Sequence, residues 1–357
     1  MATGSTGLLT ARAALGATEA ASTTPTRLMY FGQPSNIDIS GIQKFDTIED
    51  RLAWAKADGL RNLYNGMENN TFRVSNVPAS YEDFGFILAT CPGVTSGSTG
   101  LGANTPTTTD TSAYTRTFLP SQTVTDWGST GGYDMSLQVG TTDLVSTVAQ
   151  HVYGLRLSEW ALHFNRRASG TDTGLTYDAT WMTHKAETDI TSFTGSLSDR
   201  TQTLALGTQF KAYVDTSTLG STADTNVIAA DFTYSRPPVF HPGADGTGNY
   251  TSMHFPNQVA THLTLTRKFS DKTELNAYTA KTLRKVRLKC EGALIGSSTA
   301  LNTIQLDFIG KIVGHTGVDV DGLYYATIEL DGLYDSSQTA SWKVTTISTV
   351  SAAYTSV

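Results

Sequence analysis

The chain has 357 residues and a formal charge of −7, and only 16% of its residues are charged. With 25 basic against 32 acidic side chains it lacks the surplus of Lys and Arg by which proteins grip phosphate, which argues against tight nucleic-acid binding by charge. No stretch reaches the roughly 20 apolar residues of a membrane helix, and Cys91 and Cys290 stand too far apart for a disulfide framework or zinc site, reading instead as buried thiols in a reducing cytoplasm.

Ser, Thr and Gly replace the usual helix-surface residues, which favours extended structure. Residues 1–27 read as a flexible, low-complexity arm whose apolar run is broken by Arg12, so it lacks the core of a signal peptide. From Leu28 onward short apolar runs alternate with turn residues, the pattern of an all-β chain. Strands are predicted at 28–32, 71–76, 114–119, 133–139, 151–164, 175–184, 203–214, 226–234, 260–267, 284–291, 303–313, 323–331 and 341–348. Three short helices are predicted between them. "TIEDRLAWAKADGLRNLYNG" has Thr47 as cap and Ile48, Leu52, Trp54 and Leu60 on one face. "VPASYEDFGFILATCPG" has Ser80 as cap, and "SDKTELNAYTAKT" has Ser270 as cap.

Each half of the chain runs strand, helix, strand, long Gly-led strand, Trp-containing strand, a weak internal repeat carried by order more than by identities. Polar segments at 93–112 and 236–249 are long enough to be functional or mobile loops.

Catalytic signatures are missing from the sequence. The seven histidines do not cluster at ligand spacing, and there is no zinc-protease, phosphate-loop or nucleophile-elbow motif. "GVDVDGLYY" holds Asp319 and Asp321 but not the remaining ligands of a calcium loop, and reads as an Asp-Gly turn. The sequons at 69–71 and 250–252 matter only in a secreted eukaryotic chain. In "YYATIELDG", Tyr325, Thr327, Glu329 and Asp331 share one strand face. Carboxyls two residues apart, ~6.8 Å on a strand, suit a glycosidase acid and base, yet any solvated face with two acids meets that geometry.

The stretch "KVRLKCEGALIG" sets Lys285, Arg287 and Lys289 against Val286, Leu288 and Cys290. Paired with "NTIQLDFIGKIV", it should bring Ile304, Leu306 and Phe308 to the core face and Gln305 and Asp307 beside Arg287 and Lys289. The basic row then has two uses: pairing with acids on its own sheet, or meeting an acidic face of another copy.

The run from Val286 to Thr349, with its basic-apolar strand ending in Glu-Gly, "IQLDFIGKI", the Asp-Gly turn into an aromatic strand, "YD" and a closing Lys-Val strand, resembles the end of tail tube proteins, the major tail proteins of long flexible-tailed bacteriophages. The leader before "TPTRLMYFG", then "YEDFGFILAT" and "YTRTFLPS", extends the resemblance over most of the chain. It implies a mainly β fold of tail-tube-type sandwich or barrel domains with short flanking helices, in two tandem copies at 28–200 and 201–357 behind the arm 1–27. It further implies a structural subunit of the virion, made in the host cytoplasm, without catalytic residues, cofactor or metal. Its partners would be itself, in stacked rings (trimeric and pseudo-hexameric, or hexameric), a tape-measure protein, tail terminator and tip proteins, and double-stranded DNA passing through the lumen, with no membrane. On that reading Thr327, Glu329 and Asp331 line the channel, while Arg287 and Lys289 sit at or near a subunit seam. The rival expectations are a β-rich polysaccharide-degrading enzyme and another shell or decoration protein.

Overall fold

The computed structural model describes residues 8–16, 27–29, 31, 37–38, 45–50, 62–68, 70–96, 105–107, 110–120, 134–142, 147–165, 174–185, 188–190, 202–242, 250–256, 259–269, 272–296, 299–320 and 322–350. The chain is mainly β. The first half holds β1 (Leu8–Gly16), β2 (Arg27–Met29), β3 (Ile37–Asp38), β4 (Phe45–Asp50), β5 (Asn62–Glu68) and β6 (Asn70–Pro78) before helix α1 (Phe84–Ala89). After it come β7 (Val94–Ser96), β8 (Thr105–Thr107), β9 (Asp110–Pro120), β10 (Asp134–Thr142), β11 (Thr147–Asn165), β12 (Leu175–Thr183) and β13 (Thr188–Ile190). The second half holds β14 (Phe210–Asp215), β15 (Val227–Ser235), β16 (Val239–Pro242), β17 (Tyr250–His254) and β18 (Ala260–Lys268) before helix α2 (Thr273–Thr279). It closes with β19 (Leu283–Leu294), β20 (Leu301–Val320), β21 (Leu323–Gly332) and β22 (Trp342–Ser348).

Antiparallel pairing arranges these strands around two long members, β11 and β20. The first sheet runs β3, β6, β12, β11, β15, β18, β21, β20. A second runs β9, β22, β20, β19, β14. The third runs β2, β1, β10, β11, β13. Thus β20 belongs to the first and second sheets, and β11 to the first and third. Each long strand changes sheet near a bulge, where an extra residue bends it. On β11 the register slips between Met135 and Leu137, opposite Gly154, whose φ of 68° is the left-handed conformation that glycine adopts without strain. On β20 it slips between Ile312 and Gly314.

The two halves pair their strands in the same order. The N-terminal part of β11 lies between β10 and β13, and that of β20 between β19 and β22. The C-terminal part of β11 pairs with β12, which returns to β6 ahead of α1; that of β20 pairs with β21, which returns to β18 ahead of α2. Flanking these are β3 on β6 and β15 on β18, each followed by a separate hairpin, β4 with β5 and β16 with β17. The pattern departs from itself at one edge. β15 covers the outer edge of the C-terminal half of β11, whereas among the described residues no strand covers the corresponding edge of β20.

Period-two alternation makes the apolar face of the first sheet, and the other two sheets pack on it. Trp160 and Tyr234 meet Trp342 at ring-centroid distances of 5.5 and 5.6 Å, and Phe232 meets Phe308 at 5.8 Å. On the third-sheet side Phe31 contacts Phe72 and Trp181. Helix α1 is buried along its whole length, with Phe84 against Trp160 and Tyr177. Trp181 Nε1 donates to Thr90 Oγ1 just after the helix, which satisfies a polar atom in the core.

The hairpin read from the sequence is present in its expected register: Val286, Leu288 and Cys290 oppose Phe308, Leu306 and Ile304, and all six are buried. Several local expectations differ: the polar segment 93–112 holds β7, β8 and the start of β9, the segment 236–249 holds β16, and the strand predicted at 203–214 begins at Phe210. Part of the first predicted helix is strand, since β4 pairs with β5 through Ile48 to Tyr64 and Glu49 to Leu63; cross-strand pairing overrides a weak helical stripe interrupted by Gly59, and residues 51–61 lie outside the described set. Within the arm 1–27, β1 pairs with β10 along its whole length, its Ala13 fully buried. Asp83, not Ser80, immediately precedes α1; Ser80 Oγ accepts the Asp83 N–H instead. Lys272 precedes α2, and Ser270 lies outside the described residues.

Candidate functional site

The other face of the first sheet is polar, and strand alternation decides what stands on it. Along β11, Trp160, Leu162 and Phe164 point to the core, leaving Glu159, Ala161, His163 and Asn165 on the opposite side. On β15, Phe232 and Tyr234 are buried and Asp231, Thr233 and Ser235 face outward; on β18, Leu263 and Leu265 alternate with His262, Thr264 and Thr266. β21 follows suit, with Ala326, Ile328 and Leu330 buried and Thr327, Glu329 and Asp331 on the polar side. Asp178 and Thr180 of β12, Arg73 of β6, Asp38 of β3 and, on β20, Lys311 opposite Asp331 also stand on the face. Asp38 takes the place on β3 that Asp231 takes on β15: Ile37 pairs with the core residue Val74 as Ala230 pairs with Leu265.

Thr327, Glu329 and Asp331 thus stand together on one surface, flanked by Thr266, Thr264 and His262 across β18. His262 Nδ1 lies 2.9 Å from Asp331 Oδ1. Gly314 opposes Glu329, and a Cβ there would meet its carboxylate at 2.4 Å, so a glycine is what leaves room for this acid. Turning into β21, Asp319 Oδ1 accepts the Gly322 N–H; Asp321, of the expected Asp-Gly turn, lies outside the described residues. Among the described residues no group of three His, Cys, Asp or Glu side chains could hold a metal ion, and no helix is long and apolar enough to cross a membrane.

At the middle of the face, where β11 meets β15, His163 is held between two carboxylates. Its Nδ1 lies 2.7 Å from Asp231 Oδ1 and its Nε2 3.3 Å from Asp178 Oδ2. The hydrogen bond to Asp178, followed by that to Asp231, favours the charged imidazolium and raises the His163 pKa to about 9. The same bond to His163 holds Asp178 below its ordinary value, helped by the Asn76 N–H at 2.6 Å. Each bond crosses a strand boundary, so a doubly protonated ring ties β12, β11 and β15 together.

Arg287 and Lys289 lie elsewhere, on the outer face of the second sheet, and the structure does not bring them to the Glu329 surface. Arg287 donates from Nε and Nη2 to the buried Asp307 at 2.6 and 3.0 Å, with Lys343 3.4 Å from the same carboxylate. Lys289 pairs with Glu291 at 2.5 Å and Lys285 with Asp335 at 3.1 Å. Every member of the basic row is therefore met by an acid of its own chain.

Glu159, Asp178, Asp231 and His163 were not singled out from the sequence. The signal was available: "LSEWALHFN" and "AADFTYS" alternate as plainly as "YYATIELDG" does. What the sequence did not supply was the order of strands that sets them side by side. No protein-family profile and no curated protein matches this chain.

Proposed function

We propose that this protein is the tube-forming subunit of a phage tail, three copies closing into a pseudo-sixfold ring and the rings stacking into a conduit for genome delivery. The observation that carries this reading is the edge of β20 that no strand covers among the described residues. Within the chain, the equivalent edge of β11 receives β15. The first sheet begins at β3, the counterpart of β15, so one copy ends in the edge that another copy's beginning fits. A head-to-tail contact of this kind closes into a ring, and a closed sheet has no edges left to aggregate.

In such a ring the tandem halves, 28–200 and 201–357, act as two equivalent staves. The polar face turns inward and lines the lumen with Asp38, Glu159, Asp178, Asp231, Glu329 and Asp331 among Thr and Ser residues. The carboxylates outnumber Arg73, Lys311 and the protonated His163 on this face, so the wall is negative on balance, repels phosphate and offers DNA little counterion release. The tape-measure protein occupies the lumen before the genome does, and terminator and tip proteins cap the stack.

Negative-stain electron microscopy of the concentrated protein tests the reading. Annular particles or hollow cylinders are expected. The variant pair Val313→Asp and Thr316→Asp, which places charge along the open half of β20, should abolish them without altering the circular dichroism spectrum. A chain that stays monomeric at every concentration, or rings that survive those changes, would refute the proposal.

A further inference from the structure

The hairpin β16–β17, a two-stranded sheet of its own, carries two of the seven histidines. Val239 opposes His254 and His241 opposes Ser252, so alternation puts all four on one face of the hairpin, and all four are exposed. The opposite face holds the half-buried Phe240, Met253 and Tyr250, with the Phe240 and Tyr250 rings 5.2 Å apart. The hairpin is braced at its base. Phe255 is fully buried, and Arg236, at the other leg, donates from Nε to the Pro256 carbonyl at 2.7 Å and from Nη1 to the Pro92 carbonyl at 3.1 Å. Both legs are therefore fixed against each other and against the turn that follows α1.

On this braced hairpin the imidazoles of His241 and His254 lie with centroids 6.3 Å apart and ring planes at 56°. Two imidazoles bound to one cation at ~2.0–2.1 Å from nitrogen to metal have their centroids roughly 4.5–5.5 Å apart. Side-chain rotation of two exposed residues spans the difference, with no movement of backbone. We propose that His241 and His254 form a bidentate site for a divalent transition cation such as Ni²⁺, Cu²⁺ or Zn²⁺. Imidazole nitrogen suits these ions, whereas Mg²⁺ and Ca²⁺ demand oxygen donors that the described residues of the hairpin face do not supply in number. Two protein ligands leave the remaining coordination positions to water or to donors from another molecule.

The other histidines provide internal controls. All five lie outside the hairpin: His163 and His262 on the polar face, His151 on β11 with its Nε2 2.7 Å from Ser136 Oγ, His184 buried just after β12, and His315 on β20. The experiment is calorimetric titration of the full chain with NiCl₂ and with ZnCl₂ near neutral pH, with MgCl₂ as the hard-cation comparison. One transition ion per chain is expected, with no heat from Mg²⁺. His241→Asn and His254→Asn should each weaken binding roughly tenfold or more, while His262→Asn binds as the unmodified chain does. Unchanged circular dichroism in all three separates ligand loss from unfolding. No binding to the unmodified chain, or binding that both hairpin variants retain, would overturn the assignment.

Discussion

Replacing His163 by glutamine removes the one cationic ring that joins β12, β11 and β15, and the cost should depend on pH in a defined direction. The folded pKa, raised to about 9, lies above the ordinary histidine value of 6.5. The stabilisation is thus complete below about pH 6.5, where both folded and unfolded rings are charged, and is lost as pH rises through the folded value. A shift of that size corresponds to at most about 3.4 kcal/mol at 1.36 kcal/mol per unit. The side chain is 31% exposed and its partners Asp178 and Asp231 are 44% and 49% exposed, so solvent screening brings the expected worth down to about 1–2 kcal/mol. Urea denaturation of both proteins at about pH 6 and about pH 10 measures it, because titrations common to the pair cancel in the difference. His163→Gln should be less stable by about 1–2 kcal/mol at the lower pH and nearly equal at the higher. An equal deficit at both pH values would show that the ring contributes by packing and not by charge.

Four further outcomes follow from the same coordinates. Trp342→Ala empties the contact between the two sheets and should lower the unfolding free energy by about 3–5 kcal/mol in urea titration. Asp307→Asn leaves Arg287 and Lys343 facing a neutral group and should cost about 2 kcal/mol, less than a fully buried pair because each base is 26% exposed; a stability unchanged in a melting experiment would remove that pair from the fold's energetics. Burial pushes the Cys91 thiol up to about 12 and Cys290 is also buried, so a thiol reagent at about pH 8 should label neither until denaturant is added. On the proposed tube reading, Glu329→Lys together with Asp331→Lys should leave rings intact while making them retain double-stranded DNA at low salt, releasing it as salt rises; rings that retain none would take the proposed lumen role from this strand.

Strand positions were legible to a large degree because burial alternates so regularly. The Arg287 to Asp307 pairing, for example, follows from reading two neighbouring strands face by face. Less legible was anything set by pairing between distant segments. β1 looks like formless low-complexity sequence because small residues suit a strand packed closely against its neighbours, and nothing local in it announces β10 as a partner. Thr47–Asp50 carries acids and a capping residue that suit a helix start, and only the presence of Asn62–Glu68 beside it makes it a strand. The polar face was legible one strand at a time, so Glu329 and Asp331 were found while Asp178, His163 and Asp231 were not. Their association depends on β15 crossing from one half of the chain to lie against β11 of the other.

Two strands threaded through neighbouring layers have a mechanical consequence. A sandwich of independent sheets can delaminate along the greasy plane between them, since only side-chain contact resists the separation. In this molecule, parting the layers means pulling β11 and β20 apart along their own covalent backbones, or first stripping half of each from its hydrogen-bonded neighbours. The bends at Gly154 and at Ile312–Gly314 act as stitches that hold the layers against peeling.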